Sequence, residues 1–276
     1  MSLSLNRPRP SFSAKREVVA WIGRALQRLA GSPSIGANEL FEASKLGFEF
    51  RRQIIDGYLR EHYGLTVQAG PFQGMTYIAE AAGSLFGPKI LGSYELELAH
   101  IFGQLDRYET FVDVGCAEGY FAVGALVAAP HIKTMAFDLD PRARQLCVAL
   151  AETNKVAGRL QVAELCRPED LVQLAGPKTL IMIDIEGAET SLLGGTPAEA
   201  LKDCDVVVET HYTAAGCTLE FLHTYFSPTH DITIIEQSAR DPAAFPPLMA
   251  LGQVDRFMAH WEGRGPEPWI FAQARR

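Results

Sequence analysis

The stretch TFVDVGCAEGYFAVGAL, Thr110–Leu126, decides the fold. Its apolar beginning predicts a buried strand that ends at Asp113, Gly115 and Gly119 indicate a tight turn, and the apolar run behind them predicts a helix. Glycines in such a turn let the backbone approach a ligand closely, and the start of the helix presents unpaired N–H groups to it. The stretch therefore predicts an α/β unit with a ligand site at the end of the strand.

The chemistry of that ligand is indicated by nearby acids. The glycine spacing is not GxGxxG, and Glu118 stands beside the second glycine, where a carboxylate would repel a pyrophosphate but tolerate a cationic or zwitterionic ligand. Asp138 and Asp140 end the next predicted strand, and either can accept hydrogen bonds from a ribose, with Asp138 fitting the strand end better. We expect a ligand with a ribose and without a diphosphate.

Beyond Tyr108, short apolar runs alternate with helical patterns, which predicts a doubly wound sheet in the α/β class. The apolar runs are nearly continuous, as in a parallel sheet that is covered on both faces. The predicted strands are TFVDVG, TMAFDLD, LQVAEL, TLIMIDIE, DVVVETH, DITIIEQSA and PWIFAQA.

Two groups of motifs carry a family resemblance. DVGCAEGYF followed by FDLDP resembles the nucleoside-binding motifs of class I S-adenosylmethionine-dependent methyltransferases. IDIEGAE, with LGSYELEL before it and VVVETH after it, is similar to the FkbM-like branch, and the resemblance covers about Gly92 to His211. It implies a Rossmann-like, seven-stranded, mostly parallel sheet with an N-terminal helical extension, and S-adenosylmethionine as cofactor.

Carried over residue by residue, the resemblance implies which side chains hold that cofactor. Asp113 and the two glycines would line its methionine end, and Asp138 would hold the ribose. The adenine would lie near residues 164–167, where Cys166 replaces the small polar or acidic residue usual in the family, and Glu95 would touch the cofactor from before the sheet. The full predicted set is Asp113, Gly115, Cys116, Ala117, Glu118, Gly119, Tyr120, Asp138, Leu139, Cys166 and Asp184.

Acids also end the two strands that the resemblance places side by side. Asp184 and Glu186 share one face by strand alternation, and Glu209 shares a face with His211. Three interpretations stay open for this edge. Asp184 and Glu209 hold Mg²⁺ or Mn²⁺, which activates a hydroxyl; or His211 is a general base oriented by a carboxylate; or the groups are structural.

In the structural interpretation, Glu186 and Glu189 cap or begin a helix and His211 forms a hydrogen bond inside the fold. The predicted catalytic residues are Asp184, His211 and Glu209, with Asp184 near the transferred methyl group in every version.

Composition restricts the partners. The 276 residues carry a formal net charge of −8, which argues against a duplex nucleic acid or an anionic membrane as partner. The five cysteines form no CxxC pair, and the N-terminus reads as neither a signal peptide nor a membrane span, so we expect a cytoplasmic protein.

The chain divides, by its sequence, into an extension and a catalytic unit. Residues 1–105 are predicted to hold a disordered start, helices over 14–29 and 40–63, a strand pair over 65–78 and a helix over 95–105. This extension would serve as a lid or a homodimer contact, and residues 106–276 would form the methyltransferase domain.

The sequence thus predicts an O-methyltransferase that acts on a hydroxyl of a small molecule, such as a sugar or a secondary metabolite. A nicotinamide-dependent oxidoreductase and a non-catalytic S-adenosylmethionine-binding protein are the alternatives. The absent GxGxxG motif argues against the oxidoreductase, and the acid-and-histidine edge argues against the non-catalytic protein.

Overall fold

The computed structural model describes residues 20, 23–24, 26–28, 31, 36–78, 85–214, 216–265 and 267–275. The described residues within the predicted helix 14–29 are helical at 20, 23–24 and 26–28, and the rest of that prediction, with the predicted disordered start, lies outside the described residues.

Seven strands form one mostly parallel sheet, which confirms the predicted α/β, doubly wound, Rossmann-like fold. Their order across the sheet is β3-β2-β1-β4-β5-β9-β8, and β9 is antiparallel to both of its neighbours. The strands are β1 (Thr110–Val114), β2 (Lys133–Phe137), β3 (Leu160–Ala163), β4 (Thr179–Ile183), β5 (Asp205–Glu209), the two-residue β6 (Tyr212–Thr213) and β7 (Gly216–Cys217) of a separate hairpin, β8 (His230–Ile235) and β9 (Trp269–Ala274).

The order of the strands fixes where a ligand site can form. The chain runs outward from β1 to β3 and then returns to the other side of β1 for β4, so the strand order reverses between β1 and β4. The predicted adjacency of β4 and β5 is confirmed, because they pair in parallel from Leu180↔Asp205 to Ile183↔Val208. In open α/β sheets, ligands bind at the carboxyl ends of the strands beside such a reversal.

Helices cover both faces of the sheet. They are α1 (Ala37–Tyr63), α2 (Phe86–Leu91), α3 (Ala99–Phe102), α4 (Tyr120–Ala128), α5 (Pro141–Thr153), α6 (Pro168–Leu174), α7 (Glu189–Gly194), α8 (Leu219–Phe226) and α9 (Gln253–Met258), with short 3₁₀ turns between some of them. Successive strand residues enter opposite cores: Leu180 and Met182 pack on one side of β4, and Ile181 and Ile183 on the other. The continuous apolar runs follow from this two-sided burial.

The segment before β1 packs on the same core as α4. The ring of Phe72 lies 5.7 Å from that of Phe121, and both are buried. The helix predicted over 40–63 is confirmed as α1. The strand pair predicted over 65–78 is only partly correct: residues 65–67 and 74–77 pair antiparallel through backbone hydrogen bonds and a bridge between Thr66 and Thr76, but the rest of the stretch is a series of turns.

The helix predicted over 95–105 is also only partly correct. Glu95 has a φ of +45°, which is incompatible with a helix start, so the segment begins with a 3₁₀ turn at Leu96–Leu98 and continues into the four-residue α3. Among the described residues, no helix combines the length and apolarity that crossing a bilayer requires. The role of residues 1–105 as a lid or a homodimer contact stays a prediction.

The close packing of Phe72 on α4 can be tested at Gly124. A Cβ atom at this position would lie 2.5 Å from the Phe72 ring, so Gly124→Ala should force the two segments apart. We expect the free energy of unfolding to fall by about 1–3 kcal/mol, measured by urea denaturation. Gly158→Ala is the matched control, because nothing lies within 4 Å of its Cβ position. Equal stability of the two variants would contradict this packing.

Candidate active site

A cavity of about 740 Å³ opens at the carboxyl ends of β1, β2, β4 and β5. This volume suits a cofactor and part of a small substrate. All of the predicted cofactor residues line it except Glu118 and Gly119, and so do the predicted catalytic residues His211 and Glu209. The structure therefore brings both predicted groups to one cavity.

The glycine turn after β1 packs directly on the end of β4. Gly115 has a φ of +93°, and a Cβ atom there would lie 1.7 Å from the carbonyl oxygen of Asp184. At Gly119, with a φ of +91°, a Cβ atom would lie 2.7 Å from the sulfur of Cys147 on α5. Both positions therefore require glycine, and the first of them fixes Asp184 beside the turn.

The two acids after β2 have different partners. Asp138 accepts hydrogen bonds from the N–H of Ala117 at 2.8 Å and from the N–H of Asp140 at 2.8 Å. Asp140 caps α5, accepting a hydrogen bond from the N–H of Arg142 at 2.8 Å. Of the two, Asp138 is thus the acid that is tied to the glycine turn, while Asp140 serves as a helix cap.

Glu118 lies behind the cavity wall. Its side chain is fully buried, forms an ion pair with Lys89 and accepts a hydrogen bond from the hydroxyl of Tyr77. The sequence argument that this carboxylate faces the ligand and repels a pyrophosphate is therefore wrong. Its charge is balanced by a lysine that comes from α2, 29 residues earlier in the chain.

Two buried carboxyl groups on the wall have raised pKa values. Burial, followed by repulsion from Asp184, raises the pKa of Asp113 to about 8. Burial also raises the pKa of Glu95 to about 8, although Arg264 opposes the shift. Each group has one oxygen without a hydrogen-bond partner, Oδ2 of Asp113 and Oε2 of Glu95. A cation entering the cavity would stabilise their ionised forms.

His211, just beyond β5, is held from behind by Glu189. Nδ1 of the imidazole lies 3.0 Å from Oε1 of Glu189, a fully buried carboxylate at the start of α7. The same oxygen accepts hydrogen bonds from the N–H groups of Ile185 and Gly187, both at 3.1 Å. The structural interpretation is thus correct that Glu189 organises the turn before α7, and the same carboxylate also orients His211.

The other imidazole nitrogen lies among carboxylates. Nε2 of His211 is 3.7 Å from Oδ1 of Asp184, 3.7 Å from Oε2 of Glu186 and 3.6 Å from Oε2 of Glu209. Burial alone would lower the pKa of His211, but the carboxylates, Glu189 first, raise it above its ordinary value. Burial, followed by the Asp184 carboxylate, raises the pKa of Glu209.

Arg264 connects the remaining acids of this edge. It forms an ion pair with Glu209 and lies 3.1 Å from Oε1 of Glu95, and its Nη2 also donates a hydrogen bond to the carbonyl of Glu267 at 3.1 Å. One oxygen of Glu209 is thus already paired with Arg264. In the predicted metal site of Asp184 and Glu209, the second ligand would therefore have to bind the ion and the arginine together. The trio Asp184, Glu186 and His211 has ligand atoms within 4.8 Å of one another instead.

Of the four described non-glycine residues with a positive φ, three line the cavity, and Lys155 lies elsewhere. Glu95, Ala117 and Glu186 have φ values of +45°, +46° and +54°, and all three line it. Such conformations are unfavourable for residues other than glycine and persist where the surroundings impose them. The strain places the side chains of Glu95 and Glu186 on the cavity wall.

Two residues of the site were not assigned their roles from the sequence. Lys89 comes from a segment without a motif, and Glu189 was interpreted as a helix-starting residue. For Glu189, the signal was its position two residues after Gly187, where a carboxylate can reach back to the turn. The sequence carries no comparable signal for Lys89.

No family profile matches the chain, and neither does any curated protein. Among solved structures, the chain is similar to precorrin-6y C5,15-methyltransferase from Geobacter metallireducens at 13% identity, covering 66% of this chain and 88% of that one with a TM-score of 0.45. It is also similar to the METTL16 MTase domain at 13% identity, covering 94% and 90% with a TM-score of 0.48. We draw no inference about activity from such distant similarities.

The raised pKa of the buried Asp113 should make the free energy of unfolding depend on pH. Because its pKa is raised in the folded protein, its contribution to stability is fully present below about pH 4 and is lost as the pH rises towards 8. The Asp113→Asn variant has no carboxyl group at this position, so this contribution to the pH dependence of its stability is absent. We expect the variant's advantage in unfolding free energy to grow with pH, by up to about 1.4 kcal/mol per pH unit. Urea denaturation at about pH 5 and about pH 8 measures it, and a constant difference would contradict the assignment.

Proposed function

We propose that the chain is an S-adenosylmethionine-dependent methyltransferase that methylates a hydroxyl group of a small molecule. One observation carries the proposal: a single cavity joins the glycine turn and Asp138 to the edge where His211 lies between Glu189 and three further carboxylates. A nucleoside sulfonium bound along this cavity would have its ribose at Asp138 and its methyl group directed at that edge.

The charges of the cavity support a cationic cofactor. Asp113 and Glu95 are buried carboxyl groups with unpartnered oxygens, and Asp184 also has one buried oxygen without a hydrogen-bond partner. The sulfonium and the ammonium group of S-adenosylmethionine would both be stabilised there. Loss of the methyl group would convert the sulfonium into a neutral thioether, and these carboxyl groups would then attract the product less strongly than the cofactor.

His211 is the residue that we assign to proton removal. Bound S-adenosylmethionine would supply the methyl group, with its carbon–sulfur bond breaking as the acceptor oxygen bonds to the methyl carbon, and Nε2 of His211 would accept the hydroxyl proton. Glu189 holds Nδ1 and so directs Nε2 towards the cavity. The surrounding carboxylates favour the protonated imidazole, and a bound sulfonium would oppose them, so cofactor binding prepares His211 to accept a proton.

A divalent ion is the second candidate for activating the hydroxyl. The trio Asp184, Glu186 and His211 offers two carboxylates and an imidazole, and Glu189 behind His211 corresponds to the carboxylate–histidine pairs that support metal ligands. These residues would hold Mg²⁺ or Mn²⁺, which would lower the pKa of a bound hydroxyl. The two candidates differ in whether His211 accepts a proton or donates its lone pair to the ion.

Cofactor binding is the first prediction from this proposal. Calorimetric titration should show binding of S-adenosylhomocysteine and none of NAD or NADP, because buried carboxyl groups such as those of Asp113 and Glu95 line the cavity and disfavour the negative charge of a pyrophosphate. Asp138→Asn should weaken S-adenosylhomocysteine binding by about tenfold, since two ribose hydrogen bonds lose a charged acceptor. Binding of NAD(P) alone would reverse the proposal in favour of an oxidoreductase.

Substitution of His211 is the second prediction. His211→Ala should lower turnover by about 10²- to 10⁴-fold and leave the affinity for S-adenosylhomocysteine within about threefold. The readout is transfer of a labelled methyl group from S-adenosylmethionine to a panel of hydroxylated small molecules. His223→Ala, at an exposed position on α8, is the matched control.

Two further measurements separate the candidates for activation. With His211 as the base, Glu189→Gln should shift the pH–rate profile, and treatment with a chelator should leave turnover unchanged. Loss of turnover on chelation, restored by Mn²⁺, would select the metal instead. Unchanged turnover in His211→Ala would remove this residue from both candidates.

A further inference from the structure

An exposed apolar patch lies on the segments that precede and follow the sheet. Its side chains come from α1, from α9 and from the turn after α9, and each of them is between 37% and 62% exposed. They are Phe41, Phe48, Val254, Phe257 and Trp261. Single exposed apolar side chains are normal on a protein surface, but a contiguous group of them marks a binding surface.

Spacing along the two helices brings these side chains to a common side. Phe41 lies about two turns before Phe48 on α1, so both project from the same side of that helix. Val254, Phe257 and Trp261 are three and four residues apart, which is the spacing of neighbours on a helix surface. The helical turn continues as far as the last of them, because its N–H donates a hydrogen bond at 3.2 Å to the final residue of α9.

The two halves of the apolar patch are in contact with each other. The rings of Phe48 and Trp261 meet edge to face, with their centres 4.5 Å apart. An ion pair between Arg51 and Asp255 joins the same two helices. The patch is therefore one continuous surface built from α1 and α9.

This surface reaches the cavity at Gly263. The glycine is exposed and also lines the cavity, so it lies at the cavity mouth. The indole ring of Trp261 is 3.6 Å from the position that a Cβ atom of Gly263 would occupy, and the side chain of Leu85 is 3.7 Å from it. A ligand that extends out of the cavity past Gly263 therefore meets the indole of Trp261.

The inside of the cavity is unsuited to the apolar part of an acceptor. Its edge beside His211 carries the carboxyl groups of Asp184, Glu186 and Glu209, and an apolar group placed there would displace water from charged oxygens. The cofactor would also fill much of the volume of about 740 Å³. An aliphatic chain is thus better accommodated outside the cavity, on the apolar patch.

We propose that the acceptor is an amphiphile, whose hydroxylated head group enters the cavity and whose aliphatic chain lies on the apolar patch. This inference rests on the proposed function, because it names the class of molecule that would be methylated at His211. The patch binds one chain of a small molecule rather than an anionic bilayer, since the formal net charge of −8 opposes contact with anionic lipid.

The test uses alkyl glucosides as probes, because their head group is constant while the chain varies. The full chain, saturated with S-adenosylhomocysteine, is titrated calorimetrically with n-butyl, n-hexyl and n-octyl β-D-glucoside below their micelle concentrations. Complete burial of a methylene group improves affinity by about fourfold, and a chain on an open surface is buried on one side. We therefore expect the dissociation constant to fall by at least about tenfold from the butyl to the octyl compound.

Substitutions on the apolar patch should remove this dependence on chain length. In Trp261→Ser, the octyl and butyl compounds should bind within about threefold of each other, while the affinity for S-adenosylhomocysteine stays within about twofold. Because Trp261 also packs at Gly263, the double variant Val254→Ser/Phe257→Ser provides a second test away from the cavity mouth. Val172→Ser is the matched control, since Val172 is an exposed valine on α6 and should keep the full gain.

Equal binding of the butyl and octyl compounds, or an undiminished gain in both patch variants, would overturn the amphiphile proposal. Cosedimentation with phosphatidylcholine vesicles that is lost in the double variant would assign the patch to a bilayer and overturn it as well. The same holds for a dimer, detected by analytical ultracentrifugation, that dissociates in the double variant. Failure of the unmodified protein to bind S-adenosylhomocysteine would instead overturn the proposed function.

Discussion

Compensation of buried negative charge is the constraint on which the site depends. A parallel sheet directs the ends of its strands to one edge, and in this chain those ends carry carboxylates that the fold then buries. Glu118 is balanced by Lys89, and Glu209 by Arg264. Asp113 retains an oxygen with no partner. The protein alone leaves this edge short of positive charge, and a cationic ligand would supply it.

The fold could be predicted from the periodicity of apolar residues, because each strand or helix produces its pattern within a few consecutive residues. Two-sided burial of strands such as β4 produces continuous apolar runs, and alternation with helices indicates parallel pairing, so a doubly wound sheet could be predicted from the sequence. The errors fell where a few backbone angles decide the outcome, as at Glu95, whose positive φ interrupts a helical pattern. Residues 65–78 have strand-like composition, but only 65–67 and 74–77 pair.

The candidate site could be predicted in part. Residues within motifs, such as Asp138 and His211, reached the cavity as expected. The contacts that tune them join distant segments: Lys89 to Glu118 across 29 residues, and Arg264 to a carboxylate 55 residues away. No spacing rule predicts such pairs, because they depend on how the segments before and after the sheet fold over its edge.

Several groups that form the site also lower the stability of the folded protein. The strained Ala117 and Glu186 and the buried carboxyl of Asp113 each cost folding free energy. They lie together around one cavity, and of the described non-glycine residues with a positive φ only Lys155 lies away from it. That concentration is expected when a ligand, absent from the free protein, completes the electrostatics of a binding site.

The central claim is that one cavity aligns a nucleoside sulfonium between the glycine turn and His211. A crystal structure with bound S-adenosylhomocysteine tests it most directly. The account predicts the ribose hydroxyls on Asp138 and the sulfur facing the space between Asp184 and Nε2 of His211. A nucleoside bound outside this cavity, or a sulfur directed away from that edge, would contradict it.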